Sequence, residues 1–291
     1  MTFNVLAQCY VRSTFFPYCD SRSLRWKTRS ALLKNQVAAM HPRPDIVCLQ
    51  ECDNYDSFWK GLMATMDYSG IYVQKTGSKK DGVAIFWQHD RFEHVHSEEV
   101  HLKGASTTAA AAGDADLADR LLLRDNVGLV AEFRPKFDAD VPSFVIATTH
   151  LFWDPKQADV KLAQTEHMLA ALTAFTEARP GPVFFAGDFN SLPDSAVYAR
   201  LTDAFGSAYA GSDGEPAFTN CNGVAEDGRP AFVGTLDYIL FDTGRAQPTA
   251  LAPLMSLAEA TAEGALPNRK VGSDHLPLVA EFAFLTPTVE L

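Results

Sequence analysis

The sequence predicts an α/β protein in which two β-sheets pack face to face with helices outside them. Short β-rich segments recur from one end of the chain to the other. Helical stretches separate them unevenly, and the strands are too many and too irregularly interrupted for a single doubly wound parallel sheet. The 291 residues, 47% of them hydrophobic, supply enough apolar surface for a sizeable core.

Strands are expected at residues 2–6, 45–50, 82–87, 127–133, 144–149, 183–186, 236–241 and 278–284, each rich in β-branched or aromatic residues and closed by polar ones. Helices are expected at 24–40, 55–66, 159–178 and 195–204, where apolar residues recur at helical spacing. Residues 104–119, a run of alanines and small polar residues, resemble an inserted flexible loop of about 104–120. Residues 180–182 and the Gly-, Asp- and Asn-containing stretch 206–229 are expected to be turns or loops, the second long enough to be functional. No repeat or linker divides the chain, so one domain over 1–291 is expected. The first strand begins at the initiator Met, as in a chain lacking an upstream segment.

Bulk properties narrow the function. A formal charge of −11 argues against binding nucleic acid through a general basic surface, which works by counterion release from Lys and Arg. A polyanionic substrate must then be held locally or through metal. Cys9, Cys19, Cys48, Cys52 and Cys221 fit neither a disulfide framework nor zinc-knuckle spacing. No apolar run reaches the roughly 18 residues of a membrane span, and no signal-peptide pattern opens the chain. The expectation is an intracellular, cytoplasmic protein away from membranes, with nuclear or mitochondrial placement left open.

Polar residues sit where apolar strands end. Asn4 interrupts the first strand, Glu51 closes 46–50, His150 closes 145–149, and Asp188 and Asn190 follow 183–187. Asp237 opens 238–240, and Asp274 and His275 precede the last strand. Strand ends can aim such groups into one cleft. Hard divalent cations take oxygen ligands, and Mg²⁺ is usually held by one or two carboxylates with water and substrate phosphate. Glu51, Asp188 and Asp274, with the amide oxygens of Asn4 and Asn190, offer that donor set. A neutral imidazole suits deprotonation of water near neutral pH, and a carboxylate on its other nitrogen fixes the tautomer. His275 with Asp237 is the candidate pair.

Each residue also has a plainer reading. Asp188-Phe189-Asn190 after a Gly is commonly a turn, Glu51 a solvated strand end, and Asn4 a partner for neighbouring backbone. His150 could be a hydrogen-bonded core histidine, and Ser273-Asp274 a helix cap or turn. No signal decides alone; their conjunction does.

Several blocks resemble the endonuclease/exonuclease/phosphatase superfamily, the DNase-I-like fold, and within it the deadenylase branch of carbon catabolite repression deadenylases, nocturnin and the Angel proteins. They are Thr2-Phe3-Asn4-Val5-Leu6-Ala7-Gln8, Asp45-Ile46-Val47-Cys48-Leu49-Gln50-Glu51, Lys80-Asp81-Gly82-Val83-Ala84 and Arg124-Asp125-Asn126-Val127-Gly128-Leu129. Thr149-His150-Leu151-Phe152-Trp153-Asp154-Pro155, Gly187-Asp188-Phe189-Asn190-Ser191, Leu236-Asp237-Tyr238-Ile239 and Ser273-Asp274-His275-Leu276-Pro277-Leu278 follow in family order. The resemblance implies a four-layer αβ-sandwich of two mixed sheets flanked by helices. It implies two ions, Mg²⁺ with Mn²⁺ as a substitute, one held chiefly by Glu51 and one near Asp188, Asn190 and Asp274. His275 would then activate water with Asp237 behind it, and His150 would stabilise phosphoryl oxygens during in-line attack on phosphorus.

Poly(A)-trimming relatives clamp an adenine between an aromatic ring and a proline. Phe232, five residues before Asp237, and Pro155, five after His150, match those places; Phe232 could equally be a core aromatic. Asn126 matches a position near the substrate, Trp153 is a further substrate-side candidate, and Arg124-Asp125 could be a solvated charge pair. Phe152-Trp153-Asp154 stands where nocturnin carries basic residues, which disfavours a dinucleotide 2′-phosphatase. Residues 76–82 resemble the Angel proteins, some of which act on cyclic phosphates of RNA ends, and no leucine-rich repeat is present.

The leading expectation is a poly(A)-specific 3′-to-5′ exoribonuclease that releases 5′-AMP, with RNA carrying an adenylate-rich 3′ end as partner. The second is a phosphatase or phosphodiesterase for a small nucleotide or an RNA end: a 2′,3′-cyclic phosphate, a 2′-5′ oligoadenylate or a dinucleotide 2′-phosphate. The third, of another class, is an inactive RNA-binding adaptor on the same fold.

Overall fold

Two mixed sheets meet face to face in a computed structural model that describes residues 1–138 and 140–285. The first holds strands β1 (Thr2–Asn4), β2 (Ile46–Gln50), β3 (Tyr68–Gln74) and β4 (Gly82–Gln88) in the order β1-β2-β4-β3. The second is built from β5 (Phe92–His101), β6 (Val127–Pro135), β7 (Phe144–His150), β8 (Val183–Asp188) and β9 (Gly206–Ser207). Two antiparallel pairs flank the sheets: β10 (Asn220–Asn222) with β11 (Phe232–Gly234), and β13 (Ala246–Leu251) with β14 (Ala280–Phe284). The remaining strand, β12 (Asp237–Phe241), completes the second sheet in the order β5-β6-β7-β8-β12-β9.

Each large sheet contains one parallel pair, β1 with β2 and β7 with β8, and a parallel pair needs a crossover. The helices α1 (Trp26–Ala38) and, after the short α2 (Lys60–Ala64), α3 (Ala105–Ala111) and α4 (Ala115–Leu122), the 21-residue α5 (Ala158–Ala178) include both. Helix α1 connects β1 to β2, and α5 connects β7 to β8. The short helices α6 (Ala196–Thr202) and α7 (Leu257–Ala260) complete the set.

Strand periodicity explains the layering. Val83, Ile85, Leu129, Ala131, Phe133, Phe144, Ile146, Phe184, Ala186, Ile239 and Phe241, at alternate positions, fill the space between the sheets. Their neighbours Val130, Val145, Ala147, Phe185, Tyr238 and Leu240 pack on the α5 residues Met168, Leu169, Leu172 and Phe175. On the other side Val47, Leu49, Ala84 and Phe86 pack with Leu33 and Val37 of α1, Trp59, and Met63 of α2. The result is helix, sheet, sheet, helix: the expected four-layer sandwich. Central strands covered on both faces read as continuous apolar runs, which is why they were conspicuous in the sequence.

The stretch 104–119 is not the expected loop. It forms α3 and α4, which pack Ala105, Ala109, Ala118 and Leu121 around Val160 of α5. Alanine is the best intrinsic helix former, and the Asp114 carboxylate caps α4 by accepting from the Leu117 N–H at 3.0 Å. Small apolar residues make a small satellite core with little hydropathic signal. Stretch 206–229, expected as loop, carries β9 and β10. The expected helix at 55–66 opens with a π-helical turn at Tyr55–Trp59 before α2. Strands β3 and β5, absent from the expected set, lie at sheet edges, and β5 carries Glu93, Glu98 and Glu99 on its solvated positions. No helix among the described residues is long and apolar enough to cross a membrane.

Candidate active site

Five strand ends converge at one mouth of the sandwich. His150, Asp188 and Asp237 are partners in register across the adjacent strands β7, β8 and β12. Gly187 permits that register, because a Cβ there would lie 2.3 Å from the Thr149 carbonyl oxygen. From the facing sheet, Asn4 pairs with Gln50 at the ends of β1 and β2, and Glu51 follows. Leu6, Glu51 and Asn190 adopt left-handed backbone with φ of 53°, 53° and 48°. Non-glycine residues adopt it at a cost, and such strain gathers at functional sites.

The Asn4 amide joins the two sheets, donating to Glu51 Oε1 at 3.1 Å and to Asp188 Oδ2 at 2.7 Å. Glu51 Oε2 accepts the Ala7 N–H at 2.9 Å. Asp188 Oδ1 accepts the Asn190 N–H at 2.9 Å, and the Asn190 amide donates to the Leu151 carbonyl at 3.0 Å. His275 Nδ1 lies 2.8 Å from Asp237 Oδ2, which also accepts from the Thr219 hydroxyl at 2.6 Å. His275 Nε2 and His150 Nε2 face Asp188 Oδ2 at 3.7 and 3.6 Å. Asp274 accepts from the Asn222 amide at 2.9 Å.

The two imidazoles are held in complementary roles. An Asp237 carboxylate can only accept, so His275 carries a proton on Nδ1, and in the neutral imidazole the Nε2 lone pair turns to the cleft. His150 Nδ1 faces the Lys75 ammonium at 3.3 Å, and an ammonium can only donate. His150 therefore keeps its proton on Nε2. The first is arranged to take a proton and the second to donate a hydrogen bond.

The electrostatics are those of an anionic pocket. Burial pushes Glu51 up to about 7, against a pull from Lys75 and with a further push from Asp81 and Asp274. Burial and Asp237 push Asp188 up to about 6. Burial also drives His150 well below the ordinary histidine value, aided by Lys75 and His275. For His275 burial opposes protonation, but Asp237, Asp188 and Asp274 together outweigh it and raise the group well above its ordinary value.

These residues fit divalent cations. Glu51 and Asp188 share the Asn4 amide, Asp274 acts on the field at Glu51, and Asn220, bridged to His275 and lining the same cleft, has a buried Oδ1 with no hydrogen-bond partner among the described residues. Unpartnered carbonyl oxygen beside crowded carboxylates is a hard, oxygen-only environment. Donor atoms of Asp188, Asp237 and His275 also lie within 4.8 Å of one another. An ion on that trio would compete with the His275–Asp237 hydrogen bond, so Glu51, Asp188, Asn190 and Asp274 are the better set.

The other expected residues line the same cleft, about 1190 Å³ in volume: Asn126, Trp153, Pro155 and Phe232. Asn126 is committed internally, donating to the His150 carbonyl at 2.9 Å and accepting from Gln164 at 3.2 Å. Phe232 is half-buried at the cleft wall. Arg124 and Asp125 do not pair as a solvated couple: Asp125 accepts from the Thr76 hydroxyl and Arg124 lies over the Phe152 ring at 4.2 Å.

Sequence reasoning missed the supports. Lys75 is buried, pairs with Asp81 at 2.6 Å, and Asp81 accepts from the Tyr10 hydroxyl at 2.6 Å. Arg29 is fully buried under α1, donating to the Gly272, Val5 and Leu6 carbonyls at 2.7, 2.9 and 2.5 Å. It ties the loop of Asp274 and His275 to the end of β1. A lone Arg on a helix reads as solvated; for Lys75 the signal was its nearness to the Lys80-Asp81-Gly82 block.

Residues 1–275 match the family described as "Endonuclease/Exonuclease/phosphatase family". The chain belongs to that family. This endonuclease/exonuclease/phosphatase chain is 36% identical over 335 residues to "Carbon catabolite repressor protein 4 homolog 4" of Arabidopsis thaliana, covering 97% of the chain and 76% of the relative. It is 28% identical over 330 residues to "CCR4-Not complex 3'-5'-exoribonuclease subunit Ccr4" of Debaryomyces hansenii, covering 97% of the chain and 38% of that protein. Among solved structures it resembles ANGEL2, described as "a 2',3'-cyclic phosphatase, in complex with adenosine-2',3'-vanadate", with a TM-score of 0.78 and 25% identity over 97% of this chain and 94% of that one. As an endonuclease/exonuclease/phosphatase member the protein is a metal-dependent phosphoesterase.

Proposed function

We propose that the protein is a Mg²⁺-dependent 3′-to-5′ exoribonuclease that prefers adenylate, hydrolyses phosphodiester bonds and releases 5′-AMP. One observation carries the reading: Glu51, His150, Asp188, Asp274 and His275 line the same cleft as Pro155 and Phe232, so a base held by the latter pair would share one cleft with the former group. The exoribonuclease name of the Ccr4 relative supports it. The cytoplasm, where mature RNA tails are exposed, is the proposed place of action.

Glu51, Asp188, Asn190 and Asp274 would hold two divalent ions, Mg²⁺ or in its place Mn²⁺. When bound, such ions neutralise charge on the phosphate and on these carboxylates, which removes much of the bias that keeps His275 protonated. Asp237 fixes the His275 ring so that Nε2 takes the proton of the attacking water. His150 meets the oxygens that gain negative charge with a neutral Nε2–H donor, preorganised by Lys75 behind it. Low net basicity of the chain does not oppose an RNA substrate, because Lys75, Lys79, Arg124 and Lys161 all line this cleft.

Phe232→Ala tests the adenine clamp. The expected result is a KM for A-tailed RNA about tenfold higher, a smaller effect on kcat, and a reduced preference over U-tailed RNA, as for loss of one base stack. Equal KM values for variant and parent in steady-state assays would remove Phe232 from the substrate site.

A second reading, hydrolysis of 2′,3′-cyclic phosphates at RNA ends, is favoured by the likeness to ANGEL2. It uses the same reaction centre and differs in its product. A dinucleotide 2′-phosphate fits less well, since Asp154 adds negative charge beside the cleft and caps the Lys156 and Gln157 turn.

A further inference from the structure

The loop Leu151 to Gln157 leads outward from the reaction centre. His150 is 5% exposed, Phe152 half-buried, and Trp153 68% exposed. An indole left in water is costly, and this one lines the cleft rather than a distant surface. Leu123, 72% exposed at the end of α4, lines the same cleft.

Arg124 stands between them in composition and in chemistry. Its guanidinium lies over the Phe152 ring at 4.2 Å, and Phe152 and Trp153 have ring centroids 6.0 Å apart. One Nη donates to Gln157 Oε1 at 3.0 Å. Among the described residues the side-chain partner recorded for Arg124 is the uncharged Gln157, and its buried Nε has no hydrogen-bond partner. In a chain of net charge −11, a guanidinium clamped by an aromatic ring and a Gln, yet left without a carboxylate, is a group held for an anion. The helical pair α3 and α4 presents it, since Arg124 and Leu123 follow α4 directly.

Resting on the exoribonuclease reading, we propose that Arg124 and Trp153 form a second nucleotide subsite, which binds the nucleotide preceding the clamped 3′-terminal adenylate. Arg124 takes a phosphate of that nucleotide and the Trp153 face stacks its base. Stacking on an exposed indole tolerates any base, so this subsite reads chain length and single-strandedness rather than sequence.

The test compares fluorescein-labelled adenosine 5′-monophosphate, which fills the clamp alone, with a fluorescein-labelled, 3′-terminally phosphorothioate-linked oligoadenylate of five nucleotides by fluorescence anisotropy with Mg²⁺. The wild-type protein is expected to bind the pentamer at least about tenfold more tightly than the mononucleotide. Trp153→Ala and Arg124→Ala are expected to bring that ratio near one. Trp153→Phe restores most of it, and Arg124→Ala lowers the slope of log affinity against log salt by about 0.7, the loss of one phosphate contact. Unchanged melting temperatures separate these effects from misfolding, and Arg124→Lys, which keeps the charge, restores the salt slope. A pentamer-to-mononucleotide ratio near one in the wild-type protein, or a ratio preserved in both alanine variants, overturns the subsite. Tight pentamer binding without shortening of the unmodified RNA leaves the subsite standing and refutes the exonuclease reading instead.

Discussion

Replacing Glu51 with Gln is expected to lower kcat/KM on A-tailed RNA by about a thousandfold and to abolish the rise in Tm that Mg²⁺ gives the parent protein. The size follows from several kcal/mol of charge stabilisation assigned to a catalytic ion. The two readouts separate a lost metal ligand from a lost substrate contact. Glu51 holds its backbone in the left-handed region and accepts from Asn4 on one oxygen and from the Ala7 N–H on the other, so glutamine matches its size but gives up one of these two bonds, and the Mg²⁺-induced change in Tm rather than the Tm itself reports the metal.

The same substitution has a signed pH consequence. Burial raises the folded-state Glu51 carboxyl from its ordinary 4.5 to about 7 in the metal-free protein. Between those values the folded chain keeps a proton that the unfolded chain has released, so stability falls as pH rises through the window. Asp188, raised from 3.8 to about 6, acts in the same direction. His150, held below its ordinary 6.5, acts in the opposite one. The Glu51→Gln variant isolates the first contribution: in EDTA its Tm should lose less between pH 5 and 7.5 than the parent's, by roughly 2–5 °C. Mg²⁺ displaces the same proton, so its binding to the parent should release protons and weaken below pH 7. Thermal melts across pH and calorimetry in two buffers check both; an undiminished Mg²⁺ shift in the variant would contradict the assignment.

Asp237→Asn carries the second large effect, a fall in kcat of about 10²- to 10⁴-fold with little change in KM. The amide can donate to His275 Nδ1, which moves the imidazole proton to Nε2 and leaves no lone pair facing the water. The register pairing with Asp188 would keep the strand backbone in place while the Thr219 hydroxyl loses its acceptor, so the loss at the reaction centre is one of tautomer and charge. A kcat within threefold of the parent would show that His275 is not the base.

The layers were legible because their strands are apolar on both faces, and the site was legible because its side chains sit where those strands stop. Asp188 and Asp237 illustrate this: each borders an apolar run, and antiparallel pairing makes them direct partners. What escaped notice lacked such contrast. Helices α3 and α4 bury only small side chains with Leu121, and edge strands β3 and β5 mix charge with apolar residues. Arg29 is a cation whose burial depends on a partner 243 residues away, and no local pattern announces it, whereas Lys75 pairs with the nearby Asp81 and only its contact with His150 is distant.

Product identity tests the central claim most directly. Purified protein is incubated with A-tailed RNA and with RNA ending in a 2′,3′-cyclic phosphate, with and without Mg²⁺, and the released species are resolved chromatographically. Stepwise shortening of the A-tailed RNA with 5′-AMP as product, only when Mg²⁺ is present and not by Glu51→Gln, is the predicted result. An A-tail of unchanged length, with the cyclic end opened or inorganic phosphate released, would contradict it.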